Sequence, residues 1–338
     1  MKRFYLIFLL CYAFSIQLSA QPESTALRTL FDDQEIVEMT FEADMGLLLK
    51  DRGTDPPYQR VDVTYKDPSG KAHKIQAKIK VRGNFRRSEE NCAFPPLRLN
   101  VSKKQAENTL FQGQDKLKIV THCNDESYVL REYLIYQLWA LMSKHSFRVR
   151  LARITYIDSQ KKTKPMTRYA FFLEDEGMMA TRLGGRLLEE EKILPDQADE
   201  YEITRLYVFQ YFIGNLDWDI YIKKNVRLVE LSGNPFPVPV PYDFDWSEVV
   251  DAPYAVYDDN NGGKISKRVF RKLCHTQEIL PDILAEYKKK RESIYALCSE
   301  FPEIKKKEMT RITEFFDEFY ATLEDPDAVQ RVFFNVCK

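Results

Sequence analysis

The sequence VDVTYKDPSGKAHKIQAKIKV, residues 61–81, holds two runs with an apolar residue at every second position, separated by an Asp-Pro-Ser-Gly segment. Alternation of this kind is typical of strands that bury one face, and Asp-Pro-Ser-Gly is typical of a turn. We therefore predict a β-hairpin. Further apolar runs of strand length lie outside this stretch, at residues 36–41, 97–101, 117–120, 149–157 and 169–173. The first half of the chain is thus predicted to be β-rich.

Helical patterns dominate the second half of the chain. One helix is expected earlier, over residues 125–142, where an Asn or Asp can cap its start. Residues 202–213 have an apolar helical face, and Gly214 follows at the position that a C-terminal cap favours. The chain is again predicted to be helical from residue 266 onward.

Two extended segments separate these helical patterns. A strand is predicted at residues 226–231, and proline occupies every second position from 235 to 241. The N–H groups missing from the prolines would all face one side, which only an edge strand or an extended segment tolerates. Together the patterns predict an α+β fold, in which a β-rich lobe over residues 21–160 precedes a mainly helical lobe over residues 161–338. No linker separates the lobes, so we expect one continuous domain.

The first twenty residues are typical of a secretory signal peptide. Lys2 and Arg3 precede a largely apolar run over residues 4–16, and residues 17–20 offer a small-residue cleavage site. The run is shorter than the roughly 20 apolar residues that a membrane-spanning helix needs. We expect an exported protein, periplasmic, in the cell envelope or extracellular, with an uncleaved anchor as the alternative. No later segment is apolar enough to span a bilayer.

The charge of the chain is nearly balanced. It has 50 Lys and Arg against 51 Asp and Glu, for a formal net charge of -1. A nucleic-acid-binding protein would need a concentrated basic surplus, so this partner is not expected.

Export also permits disulfides. Of the six cysteines, all except Cys11 follow the predicted signal peptide. Cys92 and Cys123 flank the same predicted sheet, and we expect them to form a disulfide. Buried free thiols are the alternative.

The residues that point to chemistry follow the apolar helix. Asp217 comes shortly after Gly214, and Asp243 and Asp245 end the proline-rich segment. Residues two apart in an extended segment project to the same face, so Asp243 and Asp245 should lie side by side, with Phe244 directed into packing. Two adjacent carboxylates repel and need a cation or hydrogen-bond donors to remain ionised. Mg²⁺ suits this role, because it binds a few carboxylates and shares its other sites with substrate phosphates.

A hairpin would bring Asn225, at the head of the strand at 226–231, next to Asp243. This layout fits phosphoryl transfer, in which one Asp orients or deprotonates the accepting hydroxyl while an amide and a later Asp hold the metal. The alternative is that Asp217, Asn225 and Asp243 are turn and capping residues on a solvated loop, where Asp and Asn are favoured.

These residues resemble a known family. The segments GNLD at 214–217 and YDFD at 242–245, with Asn225 between them, are similar to the catalytic stretch of the CotH-type (spore coat protein H) atypical protein kinases. The segment VRGN at 81–84 resembles the early Arg-Gly-Asn motif of that family. The similarity spans about residues 80–250. The segments FPPL and VPYDFD also resemble a group of exported Bacteroidetes-type proteins.

The resemblance implies an atypical protein-kinase fold that uses ATP and Mg²⁺ or Mn²⁺ to phosphorylate hydroxyl groups of an exported protein acceptor. Asp217 would be the catalytic acid/base, with Asp219 as the alternative. Asp243 would be the principal metal ligand. Asn225 or Asp245 would assist it.

The nucleotide-binding half of the site departs from the family pattern. The family places a lysine in the strand after Arg-Gly-Asn, whereas this chain offers only Arg98. Lys118 paired with Glu132 is the expected substitute, with Arg98 as the alternative. A basic cluster around Gly83 fits either a phosphate clamp or a solvated hairpin tip. It consists of Arg82, Arg86, Arg87 and Arg98. Two other functions therefore stay open: a non-catalytic cell-envelope protein (a pseudokinase) and a metal-dependent hydrolase.

Overall fold

The computed structural model describes residues 28–67, 69–189, 192–255, 268–271 and 273–335. The predicted signal peptide, residues 1–20, lies outside these ranges. The strands are β1 (Val37–Ala43), β2 (Gln59–Lys66), β3 (Ala72–Val81), β4 (Leu97–Asn100), β5 (Lys116–Val120), β6 (Val149–Asp158), β7 (Met166–Leu173), β8 (Gly185–Leu187), β9 (Val226–Leu231) and β10 (Val238–Pro241). The helices are α1 (Met45–Lys50), α2 (Lys103–Ala106), α3 (Glu126–Met142), α4 (Glu176–Arg182), α5 (Glu200–Ile213), α6 (Leu280–Ser299), α7 (Lys306–Glu324) and α8 (Pro326–Val329), which continues as a π-helical turn over Gln330–Phe334. No helix in these ranges is long and apolar enough to cross a lipid bilayer.

The first seven strands form a closed barrel in the order β1-β2-β3-β4-β5-β7-β6. Neighbouring strands are antiparallel except at the closure, where β1 pairs in parallel with β6. The prediction of a kinase-like fold, with a β-rich N-terminal lobe followed by a helical lobe, is therefore wrong. The chain forms a closed mixed barrel with a helical C-terminal region. The local pattern identified the strands, but the parallel closure joins segments more than 100 residues apart, which alternation cannot indicate.

Two hydrophobic cores hold the fold together. One fills the barrel with the inward residues of its strands, such as Val61, Leu99 and Ile119. The other lies between α3, α5, α6 and α7 and contains Trp139 and Phe212, both fully buried. Because α3 follows β5 and precedes β6, the chain leaves the barrel, contributes a helix to the second core and then returns. The two cores are thus interleaved in sequence.

Several local predictions are confirmed. Asp125 caps α3 by accepting the Ser127 N–H at 2.8 Å, and Gly214 ends α5 with a φ of 65°. The proline-rich strand β10 lies at the edge of the three-stranded sheet β10-β9-β8, as its missing N–H groups require. Cys92 and Cys123 form a disulfide.

Candidate functional site

A cleft of about 590 Å³ lies between the outer face of the barrel and the helical region. Its barrel side is formed by β3, β4, β5 and the loop that follows β3. Its other side is formed by the loop after α5 and the segment after β10. The cleft contains Asp217, Asn225, Asp243 and Asp245 on this second side. The candidate residues that the sequence placed on separate segments are therefore brought together.

Three cations cross the barrel side of the cleft in a row. Lys80 on β3 is the register partner of Arg98 on β4, and Arg98 is the partner of Lys118 on β5. We call these three residues the cation row. Like charges directly opposite each other on a sheet are destabilising, so the charges of the row do not favour the pairing of these strands. The three side chains line the cleft, where their charge is suited to contact an anion.

The cation row is only partly neutralised by the protein. Lys80 pairs with Asp55 at 2.5 Å, but the Asp55 side chain is 87% exposed. Arg98 forms no ion pair within the described ranges, and its Nε is buried without a hydrogen-bond partner. Burial lowers the pKa of Arg82 next to the row, an effect that Asp243 partly offsets. Arg98 therefore leaves positive charge in the cleft that no ion pair of the described ranges neutralises.

Lys118 does not pair with Glu132, contrary to the expectation for the phosphate-binding pair. Its Nζ lies 3.6 Å from Glu176, which also binds Arg227 at 2.6 Å. Burial lowers the pKa of Lys118, while Glu176 opposes that effect. Glu176 and Arg227 were not singled out in the sequence, because neither lies in a motif and only the packing of α4 and β9 against the cleft brings them to Lys118.

Asp217 and Asp219, the two candidates for acid/base catalysis, have different surroundings. Asp217 lines the cleft, where it pairs with Lys224 and accepts a hydrogen bond from Asn225 Nδ2 at 2.9 Å. Asp219 instead accepts the Ile222 N–H at 3.1 Å and caps a turn. Of the two aspartates, Asp217 is therefore the one that faces the cleft. Sequence reasoning missed Lys224, although its position directly before Asn225 is a signal for it.

Asn225 and Asp243 lie side by side, as the predicted hairpin requires. The Tyr242 N–H donates to the Asn225 carbonyl at 3.0 Å. Asn225 has a φ of 54° and Asp243 a φ of 60°, both in the left-handed region that residues other than glycine adopt infrequently. Such backbone conformations concentrate at functional sites. Here they occur at the two residues proposed to hold a metal.

A cluster of carboxylates surrounds the buried side chain of Arg86. Its guanidinium group contacts Asp243 Oδ1 at 2.7 Å, Asp245 Oδ2 at 3.3 Å and Glu132 Oε2 at 3.3 Å. We call these three acidic residues the carboxylate cluster. Burial raises the pKa of Glu132 to about 8 and that of Asp245 to about 6, despite the opposing effect of Arg86. The expected proximity of Asp243 and Asp245 is confirmed, and the cation between them is Arg86.

The helix α3 supports the cluster from behind. Glu132 and Tyr136 are one turn apart and face the same way. The Tyr136 hydroxyl accepts the Asp243 N–H at 2.9 Å, and Tyr136 also packs edge-on against Phe244. Phe244 is fully buried, as predicted from the alternation of the YDFD segment.

The described residues contain no group of three or more His, Cys, Asp or Glu side chains arranged to hold a metal ion. Two oxygen atoms at the cleft are nevertheless suited to one. Within the described ranges, Asn225 forms its side-chain hydrogen bonds through Nδ2, and Asp243 accepts from Arg86 through Oδ1. The other oxygen of each side chain, Asn225 Oδ1 and Asp243 Oδ2, has no hydrogen-bond partner there. Mg²⁺ prefers such oxygen ligands and completes its shell with water or substrate phosphates.

Comparison with protein-family models finds no match for this chain, and a search of curated proteins finds no related sequence.

Proposed function

We propose that this protein transfers a phosphoryl group from ATP to a hydroxyl group of an exported protein, with Mg²⁺ or Mn²⁺ as the metal ion. The observation that supports this function is that the cation row faces Asp217, Asn225 and Asp243 across one cleft. Phosphoryl transfer requires cations along the phosphates, a divalent ion and a group near the accepting hydroxyl. The cleft offers residues for each requirement.

The resemblance to the CotH-type kinases supports the proposal through the order of Asp217, Asn225 and Asp243, and not through the fold. Residues 1–20 support an acceptor outside the cytoplasm, because they have the pattern of a signal peptide.

The barrel residues have the task of binding and orienting the phosphates. Lys80, Arg98 and Lys118 can contact successive phosphate oxygens, because register partners on adjacent strands lie about 5 Å apart. Arg82 adds a guanidinium group that lines the same cleft. Charge-assisted hydrogen bonds from these groups would fix the orientation of the phosphate chain.

Asp217 has the task of orienting the acceptor hydroxyl and accepting its proton. Asn225 Nδ2 and Lys224 hold the Asp217 carboxylate in place. Lys224 is half exposed, so its ammonium group can also face a substrate phosphate. Asn225 and Asp243 would hold the divalent ion, which when bound neutralises charge on the phosphate oxygens.

The test is transfer of the γ-phosphate of ATP to an added protein acceptor or to the chain itself, with Mg²⁺ or Mn²⁺. Asp217→Asn should abolish transfer and retain binding of ATP, measured by thermal shift. Asp219→Asn should retain transfer, because its carboxylate caps a turn outside the cleft lining. If wild-type protein neither transfers phosphate nor shows a thermal shift with ATP and metal, the proposed function is wrong.

A non-catalytic role is the second candidate, and one observation favours it. Arg86 already neutralises part of the charge on Asp243 and Asp245, so these carboxylates repel a phosphate group less even without a metal ion. The cleft can then bind phosphate groups without transferring them. This function predicts that ATP or tripolyphosphate stabilises the protein equally with and without a divalent ion. Release of phosphate from simple esters, without transfer from ATP, would instead favour a metal-dependent hydrolase.

A further inference from the structure

The Arg86 side chain occupies the place between Asp243 and Asp245 where a cation would bridge them. Its Nη2 lies 2.7 Å from Asp243 Oδ1 and its Nε lies 3.3 Å from Asp245 Oδ2. A guanidinium group has five donors in a fixed planar fork, so it can contact several carboxylates at once. Arg86 uses its third side to contact Glu132 at 3.3 Å.

Arg86 is also held firmly in this position by the rest of its loop. The neighbouring Phe85 ring packs against Trp246 and Tyr254, with ring centroids 5.5 and 5.3 Å apart. Further along the loop, Arg52 donates to the Cys92 carbonyl at 2.6 Å, and the Cys92–Cys123 disulfide joins the loop to the segment before α3. These contacts fix the loop from which the Arg86 side chain reaches the carboxylates.

The three members of the carboxylate cluster differ in how a cation from the cleft can reach them. The side chains of Glu132 and Asp245 are 2% and 7% exposed, whereas that of Asp243 is 38% exposed. Asp245 Oδ2 also accepts the Tyr254 hydroxyl at 3.0 Å. A hydrated ion can therefore reach Asp243 from the cleft, while the Asp245 carboxylate is nearly buried and is paired with Arg86.

We propose that Arg86 is a built-in cation that replaces a second metal ion at this site, so that the cleft binds one divalent ion, at Asp243 and Asn225, and Asp245 is the counter-ion of Arg86 and not a metal ligand. The inference rests on the proposed function for its choice of ion. It concerns the number of ions and their ligands, which can be measured without any phosphoryl transfer. Some phosphoryl-transfer sites use one divalent ion and others use two, so the number of bound ions distinguishes one kind of site from the other.

Titration of the full chain with MnCl₂ alone, followed by the EPR signal of free Mn²⁺, tests the inference. Wild-type protein should bind one Mn²⁺ per chain. Asp243→Asn should weaken binding more than tenfold, because it removes the carboxylate ligand, and loss of a group that only supports a ligand already costs about tenfold to a hundredfold. Asp245→Asn should leave Mn²⁺ affinity unchanged, because it keeps a side chain of the same shape next to Arg86 and Tyr254.

Removing the guanidinium group gives the complementary result. Arg86→Gln should bind Mn²⁺ more tightly or bind a second ion, because the carboxylate cluster then lacks its internal cation. Arg182→Gln is the matched control, since Arg182 also pairs with a buried carboxylate, Glu174, but lies outside the cleft lining. It should lower stability and leave Mn²⁺ binding as in the wild type. If Arg86→Gln does not fold, the Asp243→Asn and Asp245→Asn comparison still decides.

Several results would overturn the inference. They are two ions bound by wild-type protein, no ion bound by it, equal weakening by Asp243→Asn and Asp245→Asn, or unchanged binding in a folded Arg86→Gln variant. One bound ion that depends on Asp243 but not on Asp245, in a protein that transfers no phosphate, would support the inference and contradict the proposed function. The two proposals can therefore fail separately.

Discussion

Replacing Arg98 by glutamine should stabilise the ligand-free protein while weakening its binding of ATP. Arg98 lies in the middle of the cation row, opposite Lys80 on one side and Lys118 on the other. It has no ion-pair partner in the described ranges, and its Nε is buried without a hydrogen bond. Arg98→Gln removes this charge and keeps much of the aliphatic stem.

The magnitude follows from the two repulsive pairs that the substitution removes. Like charges directly opposite each other on a sheet destabilise by an amount similar to the roughly 0.2–1 kcal/mol of a favourable pair. Two such pairs give a gain of about 0.4–2 kcal/mol in the free energy of unfolding. A hydrogen bond to a charged group contributes about 1.5–3 kcal/mol, so its loss should weaken ATP binding about tenfold to a hundredfold.

Urea unfolding followed by tryptophan fluorescence measures the first effect, and titration with ATP and Mg²⁺ measures the second. The gain in stability should shrink at high salt, because salt screens the repulsion. Lys116→Gln is the control, since Lys116 lies on the same strand as Lys118 but opposite the neutral Asn100. If Arg98→Gln lowers stability at low salt, or behaves like Lys116→Gln, then the cation row is not a repulsive, ligand-binding feature.

Three further predictions concern other parts of the site. Asp217→Asn should reduce phosphoryl transfer by several orders of magnitude with little change in the affinity for ATP, and an equal loss of binding would contradict its role as acid/base. Replacing Cys92 and Cys123 by alanine should lower the free energy of unfolding by about 3–4 kcal/mol, as expected for a disulfide that closes a loop of this length, and denaturant unfolding measures it. Burial raises the pKa of Glu132 to about 8, so the native state binds a proton that the unfolded chain has lost, and stability should fall as the pH rises towards 8. Between pH 6.5 and 8 this fall in stability should come from Glu132 and not from His122. Burial lowers the pKa of His122 from 6.5 to about 4, so His122 changes stability only below pH 6.5. The Glu132→Gln variant should not show the fall.

Much of the local structure was predictable from a few neighbouring residues. The alternation in residues 61–81 gave the β2–β3 hairpin, and Gly214 marked the end of α5 because a left-handed residue favours glycine. The prolines of residues 235–241 predicted an edge strand, since each lacks an N–H on the same side.

Part of the candidate site was also predictable in this way. The hairpin β9–β10 brings Asn225 to Asp243 because its register depends on a short connection. The alternation of the YDFD segment was enough to bury Phe244 and to place Asp243 and Asp245 together.

Only the tertiary structure decided the closed barrel and the ion pairs of the cleft. The parallel pairing of β1 with β6 and the contact between Arg86 and Asp243, 157 residues apart, join distant segments. Lys118 pairs with Glu176 rather than Glu132 for the same reason. Periodicity and capping depend on the geometry of one turn or one strand, so the sequence determines them. A cation pairs with whichever carboxylate the packing of the whole chain brings within reach, and that distance is not encoded in any single segment.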